Sequence, residues 1–292
     1  MIGAGNRTME NRVKRSHQAF DLEIEDGIAH LRLNRGEAMN TMNRDFWNEL
    51  PELVREIDRE ALARVIVISS TGRHFSAGMD LSVFGGSDGP EPADRHVAAE
   101  AFRSNIRRIQ SSFNVLEEAR MPVLVACQGG VIGGAIDMIS AADIRWCTAD
   151  AFFCIQEINI AMTADVGTFP RLQRLIPEGW VRELAYTGRR MPAEQAREIG
   201  LVNGVFDSQE AMMEHVMATA REIAAKDPLA VTGSKVLINY GRDHTTADTL
   251  DYIGVWNASM LPPSHMQEAF AAKAEKREPR FPDLVKLRDT PM

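Results

Sequence analysis

Cysteine is scarce in this chain, with three residues, Cys127, Cys147 and Cys154, among 292. Their spacing matches neither a zinc-binding nor a CxxC pattern, which argues against a disulfide framework, a structural zinc site and a dithiol redox centre. A reducing compartment and a packing role for all three are the simplest reading. The seven histidines are scattered without ligand spacing, so no metal is expected. No apolar run approaches the ~20 residues of a membrane span. Residues 1–17 lack the apolar stretch of a secretory signal. They are polar, with Arg7, Arg12, Lys14 and Arg15 partly balanced by Glu10, and read as a loosely attached tail. Positive charge is in deficit, 33 Lys and Arg against 41 Asp and Glu, and the net charge of −8 argues against a general nucleic-acid binder. A small polyanion met by local basic residues stays compatible with it. Repeats and low-complexity tracts are absent. Together these absences suggest a cytoplasmic protein, with organellar import left open.

What is present is an ordinary globular composition, 45% hydrophobic and 25% charged, in a chain long enough for one large domain with an appendage. Phe20, Leu22 and Ile24 alternate with polar residues, Asp26-Gly27 supplies a turn, and Ile28 to Leu33 returns as the second arm of a hairpin. A helix is expected from Asn43, a plausible N-cap, to Glu60, followed by a buried strand at Val65–Ile68. The stretch from Phe84 to Asp94, rich in Gly and Pro, reads as a loop. A helix from His96 to Ala119, a strand from Val123 to Ala126, a glycine turn from Gly129 to Gly134 and a short apolar helix follow. Strands are expected at Ile144–Thr148 and Ala151–Phe153. From Thr168 the pattern is mostly helical, with helices at Ser208–Ala225, Pro228–Tyr240, Thr246–Met260 and Ser264–Lys276. Strands alternating with helices, then a helical last third, indicate an α/β fold.

Chemistry concentrates in three places. The turn His74-Phe75-Ser76-Ala77-Gly78-Met79-Asp80 follows a buried strand and is built of small residues, which let a ligand approach the backbone. The turn Gln128 to Gly134 also runs from a strand into a helix, whose first N–H groups lack partners. Its spacing is wrong for the dinucleotide GxGxxG motif, and no P-loop lysine is present. Two such turns suggest two N–H donors on one oxygen, an oxyanion hole. The third place is a set of carboxylates in apolar sequence: Asp137, Glu157 and Asp165. Burial raises a carboxyl pKa and suits it to acid and base work, although each alone could serve as a cap or ion-pair partner, Asp165 as the N-cap of the helix after Gly167.

These segments resemble the crotonase (enoyl-CoA hydratase/isomerase) superfamily from Phe20 to Phe281. The pieces that carry the resemblance are Asn34-Arg35 with Asn40, Phe75 to Leu81, Gly133-Gly134, Phe153 through Glu157, Gly200-Leu201-Val202, and Glu275-Lys276-Arg277 with Pro279 and Phe281. The resemblance implies a spiral of ββα units, 18–225, behind the tail of 1–17. It implies a helical C-terminal trimerisation region, 226–292, and a homotrimer or homohexamer. It implies an acyl-CoA thioester as substrate, with coenzyme A part of that substrate and no separate cofactor. The oxyanion hole would be formed by the N–H groups of Ala77 and Gly134. Arg35, Ser76, Asp80 and Lys276 would contact substrate, Arg35 and Lys276 through CoA phosphates and Lys276 from a neighbouring subunit.

Within the superfamily, Asp137, Glu157 and Asp165 replace the hydratase arrangement of two glutamates and a glycine-rich stretch. With Ala142 to Thr148, Asp150 to Phe153, Ala164 to Thr168, Arg242-Asp243-His244 and Trp256 to Leu261, they look like the 3,5-dienoyl-CoA to 2,4-dienoyl-CoA isomerases. Gly36, Ala135 and the tail from Glu275 depart from that pattern without removing a carboxylate, and the tail looks more like bacterial hydratases, which implies a bacterial-type protein. The implied chemistry is proton transfer, with Asp165 as base at C2, Glu157 as acid at C6 and Asp137 assisting. Two rivals stand beside it. A hydratase would use Asp137 and Glu157 on a water and has no need of Asp165. A non-catalytic acyl-CoA binding protein on the same fold would have no need of the carboxylates.

Overall fold

The main sheet begins where the sequence shows no apolar alternation. Val13–Ser16 forms β1, paired antiparallel to β2 (Phe20–Glu25) with Val13 opposite Ile24 and Ser16 opposite Asp21. Its side chains face mostly outward, and Arg12 and Lys14 form ion pairs with Glu23. The expected tail of 1–17 is therefore corrected at 13–16, where ladder hydrogen bonds and ion pairs, neither of which needs apolar residues, tie the segment to the sheet. The computed structural model describes residues 12–84 and 94–288. Residues 1–11 of the expected tail, and 85–93 of the expected loop, lie outside the described residues.

The hairpin of β2 and β3 (Ile28–Leu33) turns on Asp26 and Gly27, both at positive φ, as a two-residue turn requires. Asn43 caps α1 (Arg44–Arg59), its side chain accepting the Phe46 N–H. Next come β4 (Val65–Ser70), α2 (Arg95–Glu118), β5 (Val123–Cys127), β6 (Gly130–Ile132) and α3 (Gly134–Ser140). Then follow β7 (Ile144–Thr148), β8 (Phe152–Cys154), α4 (Thr168–Leu172), α5 (Glu178–Thr187), β9 (Met191–Pro192), α6 (Ala193–Glu198), β10 (Gly204–Phe206) and α7 (Gln209–Ala224). The last helices are α8 (Pro228–Gly241), α9 (Thr246–Met260) and α10 (Pro263–Glu275).

The main sheet runs β1-β2-β3-β4-β5-β7-β10, antiparallel through β3 and parallel from there. Strand β4 is buried on both faces, which is why it reads as a continuous apolar run. Ile66 and Ile68 point into the large core with Phe46, Leu50 and Ile57 of α1, while Val65 and Val67 point the other way, onto Met212, Val216 and Ala220 of α7. A smaller sheet, β6-β8-β9, carries the site. Its first strand lies inside the expected glycine turn: Gly130–Ile132 pairs with Phe152–Cys154, and Val131 bridges to Ser76.

The C-terminal part differs in burial. Helix α8 buries Thr232, Gly233 and Lys235, whereas α9 buries no residue. The segment after α10 returns to the core, Arg64 binding Asp283 and the Phe281 carbonyl, Arg120 the Val285 carbonyl, and the Leu287 N–H donating to the Arg59 carbonyl. Among the described residues no helix is long and apolar enough to cross a membrane.

Candidate active site

The turn leaving β4 is braced from inside. The Asn40 amide donates to the carbonyls of Thr71 (2.7 Å) and His74 (2.9 Å), and the Ser76 hydroxyl donates to the Asn40 carbonyl (2.8 Å). His74 Nδ1 accepts the Gly130 N–H at 2.9 Å, linking this turn to the one after β5. Gly78 is at φ +84°, and a methyl there would lie 2.6 Å from the Ile132 carbonyl oxygen. Gly133, at φ +55°, turns the chain into α3.

Backbone donors at this junction differ from the expectation. Ala77 gives its N–H to the Met39 carbonyl at 3.0 Å, so it has none to offer a ligand, and the expectation that it is an oxyanion donor is corrected. The N–H groups of Met79 and Gly134 donate to no acceptor among the described residues. A methyl on Gly134 would lie 4.0 Å from the Met79 nitrogen, so these two free donors border one space. Met79 escapes a sequence reading because a contact with distant Met39 decides which N–H is free.

Three carboxylates converge beside these donors. Glu157 opens a short 3-10 turn after β8, and its Oε1 would be 3.3 Å from a methyl on Gly133. Its Oε2 is buried and has no hydrogen-bond partner among the described residues. Burial first, then the neighbouring charges of Asp137 and Asp165, push the Glu157 carboxyl up to about 7. Asp137, on α3, is wholly buried. Its Oδ1 accepts both the N–H (2.6 Å) and the hydroxyl (2.8 Å) of Thr168, while Oδ2 is buried without a partner among the described residues. Burial raises its pKa to about 6, opposed by the two Thr168 bonds and helped by Asp165. Asp165 is partly buried and shifted upward, chiefly by burial.

Asp165 does not cap the following helix. That N-cap is Gly167, with no side-chain cap bond, so the capping alternative fails. The Asp165 carbonyl accepts the Gln110 amide at 2.6 Å. Gly167, at φ +132°, lies under the Arg171 guanidinium, and a methyl there would sit 1.9 Å from Arg171 Nη1. Arg171 is anchored in turn on Glu117 and Asn114.

The other expected contacts have other work. Ser76 is fully buried, its hydroxyl spent between Asn40 and the Gly78 N–H. Arg35 donates to the Thr41 carbonyl at 2.6 Å and lies 3.7 Å from Asp80. Asp80 accepts from Ser82 and Thr41, which hold its carboxyl down at about 2. As placed, Ser76, Arg35 and Asp80 brace the turn. Lys276 is exposed at the end of α10, with no hydrogen bond or ion pair to the site among the described residues. Among the described residues no group of three His, Cys, Asp or Glu side chains is arranged to hold a metal ion.

The family profile for enoyl-CoA hydratase/isomerase matches residues 23–284. The chain belongs to this family. It is an enzyme of the family, and its α/β fold of mixed sheet and C-terminal helices is the crotonase fold. It is similar to the mitochondrial Δ(3,5)-Δ(2,4)-dienoyl-CoA isomerase of Rattus norvegicus, 41% identical over 263 residues, 89% of this chain and 80% of that one. It is also similar to the peroxisomal Δ(3,5)-Δ(2,4)-dienoyl-CoA isomerase of Arabidopsis thaliana, 36% identical over 262 residues, 89% of this chain and 94% of that one. Among solved structures, an enoyl-CoA hydratase from Bacillus anthracis superposes with a TM-score of 0.81 at 27% identity, covering 90% of this chain and 99% of that one. The organellar names of the two isomerases lend no support to the bacterial-type cytoplasmic expectation.

Proposed function

We propose that this enzyme converts a 3,5-dienoyl-CoA thioester to the 2,4-dienoyl-CoA isomer. A proton leaves C2, the electron pair moves through C3=C4 and C5=C6, and a proton arrives at C6, leaving double bonds at C2 and C4. The reaction is redox neutral and calls for no separate cofactor. Charge builds on the thioester oxygen as the C2 proton leaves, and the free N–H groups of Met79 and Gly134 are the donors assigned to it. Each such donor is worth about 3 kcal/mol in the transition state.

The observation that carries this reading is the third carboxylate. Asp137 and Glu157 alone would suit a hydratase, but Asp165 joins them, and each of the three has a raised pKa. A carboxyl at about 7 keeps its proton near neutrality, which suits Glu157 as the acid at C6. Asp165, less buried, is the base at C2. The names of the dienoyl-CoA isomerases to which the chain is similar support the reaction.

The assembly is proposed to be a trimer or hexamer through residues 226–292. Support comes from apolar side chains left uncovered there, Ile238 at 68%, Leu250 at 62% and Phe270 at 67% exposure. Lys276 is assigned to a CoA phosphate across that contact. An organellar location follows the compartments in the relatives' names. The test is to mix purified enzyme with a 3,5-dienoyl-CoA and follow absorbance of the conjugated thioester, beside a cuvette of crotonyl-CoA. Rapid conjugation supports the isomerase. Loss of crotonyl-CoA absorbance without conjugation overturns it in favour of hydration.

A further inference from the structure

We propose that Thr168 is a positioning residue, fixing the Asp137 carboxylate and tying the segment that carries Asp165 to α3. The inference rests on the carboxylate roles proposed above and adds a member to the site.

Asp137 is wholly buried, and its Oδ2 has no partner among the described residues. A buried carboxylate without donors would be costly, so what holds it matters. Both donors on Oδ1 come from Thr168, the N–H at 2.6 Å and the hydroxyl at 2.8 Å. Two bonds from one residue to one oxygen leave the side chain little freedom to rotate. Oδ2 is thereby the oxygen left to act on its surroundings.

Thr168 is also the first residue of α4, three positions after Asp165. Among the described residues, no backbone N–H from Thr163 to Gly167 donates to another backbone carbonyl. The segment is held by side chains instead: Gln110 on the Asp165 carbonyl, Arg171 near the Val166 carbonyl, and the Thr168–Asp137 link. Since α3 opens with Gly134, one threonine connects a proposed oxyanion donor, the central carboxylate and the base. The charged groups acting on Asp137 and Glu157 here are Asp165 and Arg171, besides each other. Donors on Oδ1 favour the ionised form of Asp137, and that anion favours protonated Glu157.

The test compares Thr168→Val, which keeps shape and the backbone N–H but removes the hydroxyl, with Thr168→Ser, which restores it. Each is made in wild-type enzyme and alongside Asp137→Asn. Expected for Thr168→Val is a fall in kcat of about tenfold with KM within about twofold, and an acidic limb of the pH profile moved upward. Thr168→Ser should recover most of the rate, and Thr168→Val should cost nothing further beside Asp137→Asn. Isotope-edited infrared titration of the aspartate carboxyls, which needs no turnover, should show the Asp137 midpoint rise in Thr168→Val. An unchanged midpoint with unchanged kcat overturns the proposal, as does a lower melting temperature with no change in midpoint. If wild type fails to conjugate the dienoyl thioester yet the midpoint moves, the Thr168 link stands and the reaction assignment falls.

Discussion

Gly78 stands so close to Gly134 that a methyl on the first would lie 3.3 Å from the backbone nitrogen of the second. The two turns that supply the free donors therefore touch through a glycine at φ +84°, where a side chain is strained as well as crowded. Gly78→Ala should push them apart and cut kcat by about 100-fold or more, since oxyanion donors act through tenths of an ångström. Steady-state kinetics with a circular-dichroism control for folding checks this. A rate within about threefold of wild type would remove the two-donor assignment.

Loss of either proposed proton carrier should be more specific. Asp165→Asn and Glu157→Gln keep size and should each lower kcat by about 10²–10⁴-fold while leaving KM within severalfold. Exchange of the C2 proton with deuterated solvent separates them. It should vanish in Asp165→Asn and persist in Glu157→Gln, because the base acts before the acid. Retained exchange in Asp165→Asn would reverse the two roles.

The raised carboxyls make a statement about stability. Glu157 at about 7 and Asp137 at about 6 hold protons in the folded state that the unfolded chain releases nearer pH 4. Where the folded state binds more protons, stability falls as pH rises, so their destabilising effect develops between about pH 4 and 7 and is complete above that. For Glu157 the ceiling is on the order of 3 kcal/mol at alkaline pH, reduced by its coupling to Asp137. Glu157→Gln should therefore melt higher than wild type at about pH 8, with the gap closing towards pH 4. Equal melting temperatures throughout would show that the carboxyl is not desolvated.

Gly167 offers a test of how the base is held. A methyl there collides with Arg171 Nη1, so Gly167→Ala should dislodge the guanidinium from Asn114 and Glu117. The expected result is a loss of about 1–3 kcal/mol in stability together with a lower kcat, measured by urea unfolding and kinetics. Normal kinetics in a destabilised variant would show that the Asp165 segment keeps its place without Arg171.

What could be read from sequence follows the range of the interactions. The hairpin at Asp26-Gly27, the Asn43 cap and the apolar run of β4 are local signals and stand where expected. β1 was missed because its sequence, Val-Lys-Arg-Ser, pairs through backbone and exposed charge. Asp137, Glu157 and Asp165 stood out as carboxylates in apolar sequence, and the fold brings them together. The resemblance implies Ala77 as a donor, and Met79 comes to light only in the fold, where the Ala77 N–H is already taken by the Met39 carbonyl. Arg35, Ser76 and Asp80 carried chemistry of the right kind, but their partners, Thr41, Asn40 and Ser82, are revealed only by the folded turn. Thr168 belongs to a segment that carries the resemblance, but nothing in the local sequence points its side chain to Asp137 on α3.

The return of the segment after α10 has a consequence for synthesis. Arg64 bonds Asp283, 219 residues later, and Arg120 bonds the Val285 carbonyl, 165 residues later. On a translating ribosome the hairpin, α1 and β4 emerge long before those partners exist, and so long a loop closes only once the intervening chain is ordered. Until then, at the α1 end of the sheet, Arg64 lacks its Phe281 and Asp283 acceptors, and Arg120, though held by Asp58, lacks the Val285 carbonyl. That end is sealed last, and a chain released before Asp283 would leave the ribosome with it open.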